Sequence, residues 1–189
     1  GKDNIPFHTL IWPAMLLGYG GLNLPYDIPA NEFLTLEGKQ LSTSRNWAVW
    51  IPDYLERYDP DPLRYIFSVN MPETGDTDFS WREFVRRNND ELVATYGNLV
   101  HRVLSFTHRN FDGVVPPLGE LDASDNALLN RANTSLDNVS ESLGSCRFKE
   151  AIKAAFTLAQ ETNRYLDEKA PWKAIKQDRE ATATAVGVA

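Results

Sequence analysis

The polar run from Leu36 to Asn46 contains the side chains of this sequence that are best suited to bind a phosphate group. It combines one glycine, three hydroxyl side chains at positions 42–44, and two cations, Lys39 and Arg45. Backbone N–H groups, hydroxyls and cations in one loop are what a polyanion such as a nucleoside triphosphate requires. The same composition is also typical of an ordinary surface loop or of a helix cap. The run alone leaves both interpretations open.

A second set of polar side chains lies on one side of a predicted long helix, from Phe79 to about Asn110. Its apolar stripe recurs at helical spacing and consists of Leu92, Tyr96, Leu99, Val103 and Phe106. A rotation of about 100° per residue groups a polar strip, made up of Glu91, Thr95, Asn98, Arg102, Ser105 and Arg109. Asn98 and Arg102 are four residues apart and are therefore neighbours on the helix surface. On periodicity alone, a solvated face is the simpler interpretation of this strip.

The other elements are predicted from apolar spacing and from turn residues. Phe33–Leu36 is expected to be a strand that leads into the polar run, and Ser80 is the expected N-cap of the long helix. Pro72–Asp78 is rich in turn residues and is the predicted boundary between two parts of the chain. Further helices are predicted over 7–15, with a break at Pro13, and over 53–58, 63–68, 125–143, 148–166 and 172–177.

Two of these helices carry an apolar face, which predicts a helix bundle in the second half of the chain. In the first of them, the residues expected to face inward are Leu129, Ala132, Leu136, Val139 and Leu143. In the second, they are Phe148, Ile152, Ala155, Phe156, Ala159 and Leu166.

Composition predicts a globular chain without a membrane span. Hydrophobic residues make up 42% of the sequence, but no apolar run is long enough to cross a bilayer, and no secretory signal opens the chain. The single Cys146 cannot form an internal disulfide, which fits a reducing cytosol, and a cytoplasmic location is expected. No Cys and His residues have the spacing of metal ligands, so no metal site is expected.

The net charge of −7 argues against a protein that holds nucleic acid by bulk electrostatics. Residues 1–85 carry 6 Lys and Arg against 12 Asp and Glu, whereas residues 86–189 carry 13 against 14. The second half can therefore present a local basic face that the total conceals. The first half needs well-placed cations in order to accept a phosphate.

Three short stretches together resemble one protein family. Gln40-Leu41-Ser42-Thr43-Ser44-Arg45 resembles a variant of the Lys-Met-Ser-Lys-Ser signature of class I aminoacyl-tRNA synthetases. The opening, Gly1 to His8 followed by Trp12 to Leu16, is similar to the stretch that precedes this signature in methionyl-tRNA synthetases. Asp167-Glu168-Lys169-Ala170-Pro171-Trp172 resembles their anticodon-binding domain. Because the matches come in the family's order and span nearly the whole chain, the chain is identified as a member of the methionyl-tRNA synthetase family.

This resemblance implies a mainly α fold in three parts. Residues 1–35 correspond to the end of a Rossmann-type α/β nucleotide-binding catalytic domain, and residues 36–77 to the signature loop with a small α/β stem-contact segment. Residues 78–189 correspond to an incomplete antiparallel helix bundle that binds the anticodon. Sequence does not indicate the oligomeric state.

The resemblance also implies roles for the polar run. In the family, the signature loop closes over ATP and its lysines stabilise the triphosphate, so the catalytic candidates are Lys39, Gln40, Ser42, Thr43, Ser44 and Arg45. This sequence departs from the pattern, because Gln40 stands at the first lysine and Thr43 at the second. Lys39 lies one position early and is expected to supply part of the missing charge.

For the opening stretch, the resemblance implies contacts with the other two parts of an aminoacyl adenylate. The positions matching Phe7, His8 and Trp12 line the methionine pocket, where aromatic walls suit a polarizable thioether. The positions matching Gly1, Lys2 and Asp3 approach the ribose. Considered without the family, Phe7 and Trp12 are expected to be core residues.

In the helical half, the positions matching Asn98, Arg102 and Trp172 recognise the CAU anticodon in the family. Anticodon bases are unstacked, so an indole can stack on one of them while amide and guanidinium groups read base edges. The implied function is part of a methionine–tRNA ligase, with ATP and Mg²⁺, methionine and tRNA(Met) as ligands. The family's His-Ile-Gly-His signature does not occur in these residues, so this chain alone is expected to be inactive. A noncatalytic tRNA-binding paralogue is the alternative, and a plain helical interaction domain is a third interpretation.

Overall fold

The computed structural model describes all residues from 1 to 189. The chain is mostly helical with one small sheet, which confirms the predicted mainly α class. It forms two compact units, Gly1–Phe84 and Val85–Ala189. None of the helices is both long and apolar enough to cross a membrane.

The first unit contains three helices, three strands and the beginning of a fourth helix. Its helices are α1 Trp12–Tyr19, α2 Ile51–Leu55, α3 Pro60–Val69 and α4 Trp81–Arg87, and its strands are β1 Leu34–Leu36, β2 Lys39–Gln40 and β3 Thr77–Phe79. A 3₁₀ turn, Lys2–Asn4, and a π-helical stretch, Phe7–Ile11, precede α1. The break expected at Pro13 is thus found as a wider helix just before it, because proline has no N–H to donate to the preceding turn.

β1 is the central strand of the sheet. It pairs with β2 in antiparallel and with β3 in parallel orientation. The predicted strand at 33–36 is confirmed, but two other predictions are wrong. Lys39 and Gln40, expected in a loop, form β2, and the end of the expected linker 72–78 lies in β3. Both extend the sheet, because their backbone groups find partners on either edge of β1.

The core of the first unit lies where the sheet meets α2, α3 and α4. Its buried residues are Leu36, Tyr54, Leu63, Ile66, Phe79 and Phe84. Ser80 accepts a hydrogen bond from the N–H of Glu83 at 3.2 Å, which confirms it as the N-cap of α4. This core fixes β1 and therefore the start of the polar run that follows it.

The second unit consists of a π-helical stretch, Asn88–Gly97, followed by α5 Asn98–Asn110, α6 Ala123–Gly144, α7 Phe148–Lys169, α8 Pro171–Ala174 and α9 Arg179–Val188. The long helix predicted over 79–110 is found as a continuous helical run from Trp81 to Asn110, but the ten residues before α5 wind more widely than an α-helix, and Phe79 lies in β3. α6 and α7 form an antiparallel hairpin, since Lys169 at the end of α7 contacts Asp122 and Asp125 at the start of α6.

The core of the second unit contains Leu128, Tyr165, Leu166 and Ala185. Ala159 and Leu166 are buried as predicted, but Leu136, Leu143 and Ala155 are exposed. α6 instead buries Leu128, Ser135 and Ser142, which recur every seven residues. The two small serines let α7 approach α6 closely. Packing against α7 therefore decides which face of α6 is buried, and that face differs from the apolar stripe predicted from the sequence.

Candidate functional site

Arg102 is a predicted site residue whose side chain is held by several contacts. Its side chain is 22% exposed, and its guanidinium donates to Asn163 Oδ1 at 3.0 Å and to Asp167 Oδ1 at 2.5 Å. Both acceptors lie on α7, four residues apart and so on one side of that helix. The planar guanidinium is therefore held by two bonds in one orientation.

Trp172 lies beside this guanidinium. The centre of its ring is 4.7 Å from Arg102 Cζ, a distance at which a cation interacts favourably with an indole face. Ala170 adopts a left-handed conformation with φ 41°, and the buried Pro171 begins α8, so the chain turns sharply just before the indole. Trp172 remains 42% exposed, which leaves much of the ring available to a ligand.

Asn98 begins α5 one turn before Arg102. Its side chain is exposed and forms no hydrogen bond within the chain. The structure thus brings Arg102 and Trp172 into contact and leaves Asn98 free at the surface on the same helix. A stacking ring, a fixed guanidinium and a free amide are the groups that bind unstacked nucleobases.

Asn163 and Asp167 are the residues of this cluster that sequence reasoning did not assign. Asp167 lies within the stretch that carries the resemblance, and Asn163 is one helical turn before it. Asn163 lies on the predicted helix 148–166 and Asp167 directly follows it, so their i, i+4 spacing was the available signal. Only the packing of α7 against the segment before and within α5 shows that they surround Arg102.

A charged cluster joins the start of α6 to the end of α7, the helix that precedes α8. Asp122 and Asp125 form a capping box, in which each side chain accepts from the other's backbone N–H. The ammonium of Lys169 lies 2.6 Å from both carboxylates, and the hydroxyl of Tyr165 donates to Asp125 at 2.8 Å. The cluster holds the helix that leads into Pro171 and Trp172.

The pKa values of this cluster follow from these bonds. Hydrogen bonds from Lys169, from the Asp125 backbone N–H and from the Ser124 hydroxyl hold the pKa of Asp122 well below its usual range. Burial raises the pKa of Asp125, but its bonds from Lys169, the Asp122 N–H and Tyr165 outweigh this and lower it overall. Burial and the bond to Asp125 raise the pKa of Tyr165, and burial lowers that of Lys169 less than its two carboxylates raise it. The ion pairs therefore persist over a wide pH range.

In the first unit, the polar run folds as a tight hairpin followed by a closed turn. Glu37 and Gly38, both with positive φ, connect β1 to β2 in the two-residue manner that glycine favours. Asp78 accepts from the Gly38 N–H at 2.7 Å. Backbone bonds in both directions between Ser42 and Trp47 then close the next turn.

The two cations of this run, Lys39 and Arg45, have different surroundings. Lys39 Nζ lies 5.0 Å from the centre of the Trp47 ring, and that indole donates to the carbonyl of Leu36 at 2.9 Å. Gln40, Thr43 and Arg45 are exposed. Lys39 is thus placed over the base of the turn, whereas the Arg45 side chain forms no contact that fixes it.

The hydroxyl of Ser42 forms hydrogen bonds within the turn. Ser42 Oγ lies 3.2 Å from Ser44 Oγ and accepts from the Arg45 N–H at 3.4 Å. Asn46 has φ 51° and accepts from the Trp50 indole at 2.8 Å. These bonds give the turn a defined shape, with its hydroxyl edge facing solvent.

At the beginning of the chain, the ammonium of Lys2 contacts two carboxylates and one aromatic ring. Its ammonium lies 2.6 Å from Glu32 and 2.8 Å from Asp76, and 4.3 Å from the centre of the Phe33 ring. The hydrogen bond with Asp76, followed by that with Glu32, raises the pKa of Lys2. Gly1 and Asp3 on either side of it are exposed.

Phe7, His8 and Trp12 lie on the surface. Phe7 is 56% and Trp12 46% exposed, so the expectation of core packing for them is wrong. His8 and Trp12 meet edge to face at 6.4 Å, one helical turn apart. No group of three or more His, Cys, Asp and Glu side chains is arranged to hold a metal ion.

Comparison with known families gives two matches that together cover most of the chain. The family described as tRNA synthetases class I (M) matches residues 1–104. The family described as the anticodon binding domain of methionyl tRNA ligase matches residues 115–189. The first match includes the hairpin, Asn98 and Arg102, and the second includes Asn163, Asp167 and Trp172.

Curated relatives are similar over the full chain. The methionine–tRNA ligase of Dehalococcoides mccartyi is 61% identical over 189 residues, and that of Thermomicrobium roseum is 56% identical over 190 residues. These matches cover 100% of this chain but 34% and 32% of the two relatives. The chain therefore spans about a third of the length of the curated relatives it matches.

Solved structures share the fold. Methionyl-tRNA synthetase of Mycobacterium tuberculosis in complex with methionyl-adenylate is 31% identical, with a TM-score of 0.91. The match covers 100% of this chain and 38% of that protein. The apo form of the same enzyme gives a TM-score of 0.88.

Proposed function

We propose, because this chain belongs to the family of class I tRNA synthetases (M), that it forms part of a methionine–tRNA ligase. In this proposal the whole protein activates methionine with ATP and transfers it to tRNA(Met). This chain supplies the hairpin that approaches ATP and the helical surface that reads the anticodon. A cytoplasmic location is part of the proposal, since tRNA charging takes place there.

The observation that carries the proposal is the contact between Arg102 and Trp172. An indole that is 42% exposed and backed by a fixed guanidinium is a platform for one unstacked base. Asn98 lies one turn away with its amide free to bond to a base edge. These three residues are the proposed readers of the CAU anticodon.

In the first unit, the hairpin is the proposed contact with the triphosphate of ATP, which binds with Mg²⁺. Displacement at the α-phosphate places negative charge on its oxygens, and fixed donors stabilise that charge. Lys39 is the proposed cation, with Arg45 and the hydroxyls of Ser42, Thr43 and Ser44 around it. Gln40 occupies the place of a family lysine and contributes a neutral amide.

The opening segment is the proposed site for the adenylate. Phe7, His8 and Trp12 present exposed aromatic groups suited to the methionine thioether. Gly1 and Asp3 are proposed to meet the ribose. Lys2, whose ammonium is taken up by two carboxylates, contributes by holding this segment to the start of β1.

The division of the chain into residues 1–35, 36–77 and 78–189 is proposed on the same grounds. Along the sequence, the first compact unit ends at Phe84 and the second begins at Val85, somewhat later than the proposed start of the anticodon-binding part. β3 belongs to the sheet and is followed directly by Ser80, the N-cap of α4, so the compact first unit includes the beginning of α4.

The test is a filter-binding titration of this chain with tRNA(Met), and with the same tRNA carrying one changed anticodon base. A preference for CAU of about tenfold or more is expected, since each base contact adds about 1–3 kcal/mol of discrimination. Equal affinity for both tRNAs would contradict the anticodon-reading role. ATP–pyrophosphate exchange by a full-length ligase carrying this sequence tests the catalytic role, and its absence would favour a noncatalytic paralogue.

A further inference from the structure

Asn98 begins α5 at the end of the π-helical stretch, where the backbone bonds change from one pattern to another. Its N–H is shared between the carbonyls of Thr95 and Val93. The wide turn just before Asn98 therefore decides the direction in which its side chain leaves the helix. Such π-helical turns are often found where a helix positions a functional group.

The side-chain amide of Asn163 contacts this turn and Arg102 at once. Its Nδ2 donates to the carbonyl of Thr95 at 3.1 Å, the carbonyl that also accepts from the Asn98 N–H. Its Oδ1 accepts from Arg102 Nη1 at 3.0 Å. A second bond from Nδ2 to the Ala159 carbonyl, at 3.2 Å, holds the amide on α7.

We propose that Asn163 is a positioning residue which fixes Asn98 and Arg102 relative to each other for base recognition. It does not itself have to touch the nucleic acid. Through Thr95 it holds the turn from which Asn98 starts, and through Oδ1 it holds the plane of the Arg102 guanidinium. This inference rests on the proposed function, because the geometry that it fixes is that of the proposed anticodon readers.

The amide of Asn163 meets both requirements at once. Asn163 must donate to a backbone carbonyl and accept from a guanidinium, and a carboxylate can only accept while ionised. A leucine of similar shape can do neither. Aspartate and leucine therefore separate the two bonds: Asn163→Asp keeps the acceptor for Arg102 and loses the donor to Thr95, whereas Asn163→Leu loses both.

The experiment measures the ratio of dissociation constants for two tRNAs, one with the CAU anticodon and one with a single changed anticodon base. Asn163→Leu is expected to lower this ratio about tenfold, and Asn163→Asp to lower it less. Asn133→Ala is the matched control, since Asn133 is an exposed amide on α6. Thermal melting of each variant separates positioning from folding, and Asn163→Asp provides a second test if the leucine variant does not fold.

If Asn163 had a merely structural role, its substitution would weaken the binding of both tRNAs equally and leave the ratio of dissociation constants unchanged. That result would overturn the inference. A ratio that falls in the two Asn163 variants, but not in Asn133→Ala, supports it. The wild-type chain distinguishes this result from failure of the proposed function. If the wild type itself shows no preference for CAU, the proposed anticodon role fails and the inference falls with it.

Discussion

Arg102 on α5 and Trp172 on α8 form a cation–π contact, in which the guanidinium carbon lies 4.7 Å from the centre of the indole ring. The guanidinium is held from its edge by Asn163 and Asp167. The indole is thus supported on one side by a cation that cannot rotate freely. A base that stacks on Trp172 meets a ring whose position is set before binding, which reduces the entropy lost on association.

Trp172→Ala is expected to weaken binding of tRNA with a CAU anticodon by about 1–3 kcal/mol, because one stacked base loses its platform. The melting temperature should change little, since the ring is 42% exposed and outside the buried core. Filter binding and thermal melting of the same preparation measure the two effects. Trp172→Phe is the control that keeps an aromatic face, and it should lie between wild type and alanine. Collapse of the melting transition in Trp172→Ala would mean that the indole serves the fold.

The helices could be predicted from the sequence because apolar residues repeat at helical spacing over long stretches. The π-helical stretch Asn88–Gly97 could not, since its residues show no local signal that distinguishes it from an ordinary helix. The buried face of α6 was also predicted wrongly. Leu136 is more apolar than Ser135, but the face of α6 that is buried carries Leu128, Ser135 and Ser142, and the two small serines let α7 pack closely.

In the candidate site, too, some residues could be predicted from the sequence and others could not. Asn98, Arg102 and Trp172 could be named as candidate anticodon readers because they stand at positions of a recognisable pattern. Asn163 could not be named, because its proposed role depends on two bonds to residues that are distant in sequence. The exposure of Phe7 and Trp12 likewise could not be predicted from residue type, since aromatic residues are more often buried than exposed.

Lys39→Ala in a full-length ligase carrying this sequence should slow ATP–pyrophosphate exchange by about 100-fold, as when one fixed donor is lost from a charged transition state. Lys39 is the cation that the hairpin places over the Trp47 ring. The rate is measured at saturating methionine and ATP. Lys176→Ala, an exposed lysine of the second unit, is the matched control and should exchange at the wild-type rate. An unchanged rate in Lys39→Ala would show that the charge comes from elsewhere, with Arg45 as the next candidate.

Tyr165→Phe should reduce the free energy of unfolding by about 1.5–3 kcal/mol, because it removes a donor to an ionised, buried acceptor. The hydroxyl donates to Asp125 at 2.8 Å, and Asp125 is 3% exposed. Urea unfolding monitored by circular dichroism measures the change. Tyr96→Phe removes a hydroxyl from a residue that is 54% exposed and should have almost no effect. Equal stability of the two variants would mean that the bond to Asp125 contributes nothing.

The stability of the helical unit should fall in acid. Asp122 and Asp125 have folded-state pKa values below their ordinary value, so the unfolded chain binds protons more readily than the folded one. Their contribution is complete above about pH 4, the ordinary pKa of Asp, and is lost as the pH falls below that value. The raised pKa of Lys169 acts in the opposite direction, with a contribution lost above about pH 10.4.

Melting temperatures between about pH 2 and pH 7 test this dependence on protonation. Asp125→Asn removes one of the two carboxylates and should give a shallower loss below about pH 4 than wild type. Asp137→Asn is a suitable control, because Asp137 is an exposed carboxylate on α6 outside the cluster. Parallel curves for wild type and Asp125→Asn would contradict the assignment.

Gly97 is the last residue of the π-helical stretch, and a side chain there would approach the helix's own backbone. A Cβ atom at this position would lie 3.0 Å from the carbonyl oxygen of Leu92, closer than most such contacts. Gly97→Ala therefore requires the wide turn to shift by a few tenths of an ångström or to change its winding. Either change alters the direction of Asn98 and loosens the bond between Asn163 and the Thr95 carbonyl.

Two effects of Gly97→Ala oppose each other in stability, because alanine favours a helix over glycine by about 1 kcal/mol while the contact with Leu92 disfavours the wide turn. The melting temperature should therefore move little, whereas discrimination between CAU and a changed anticodon should fall by about three- to tenfold. Gly144→Ala, at the open end of α6, has no atom near the added Cβ and is the matched control. Discrimination equal to wild type in Gly97→Ala would show that the wide turn does not position the anticodon readers.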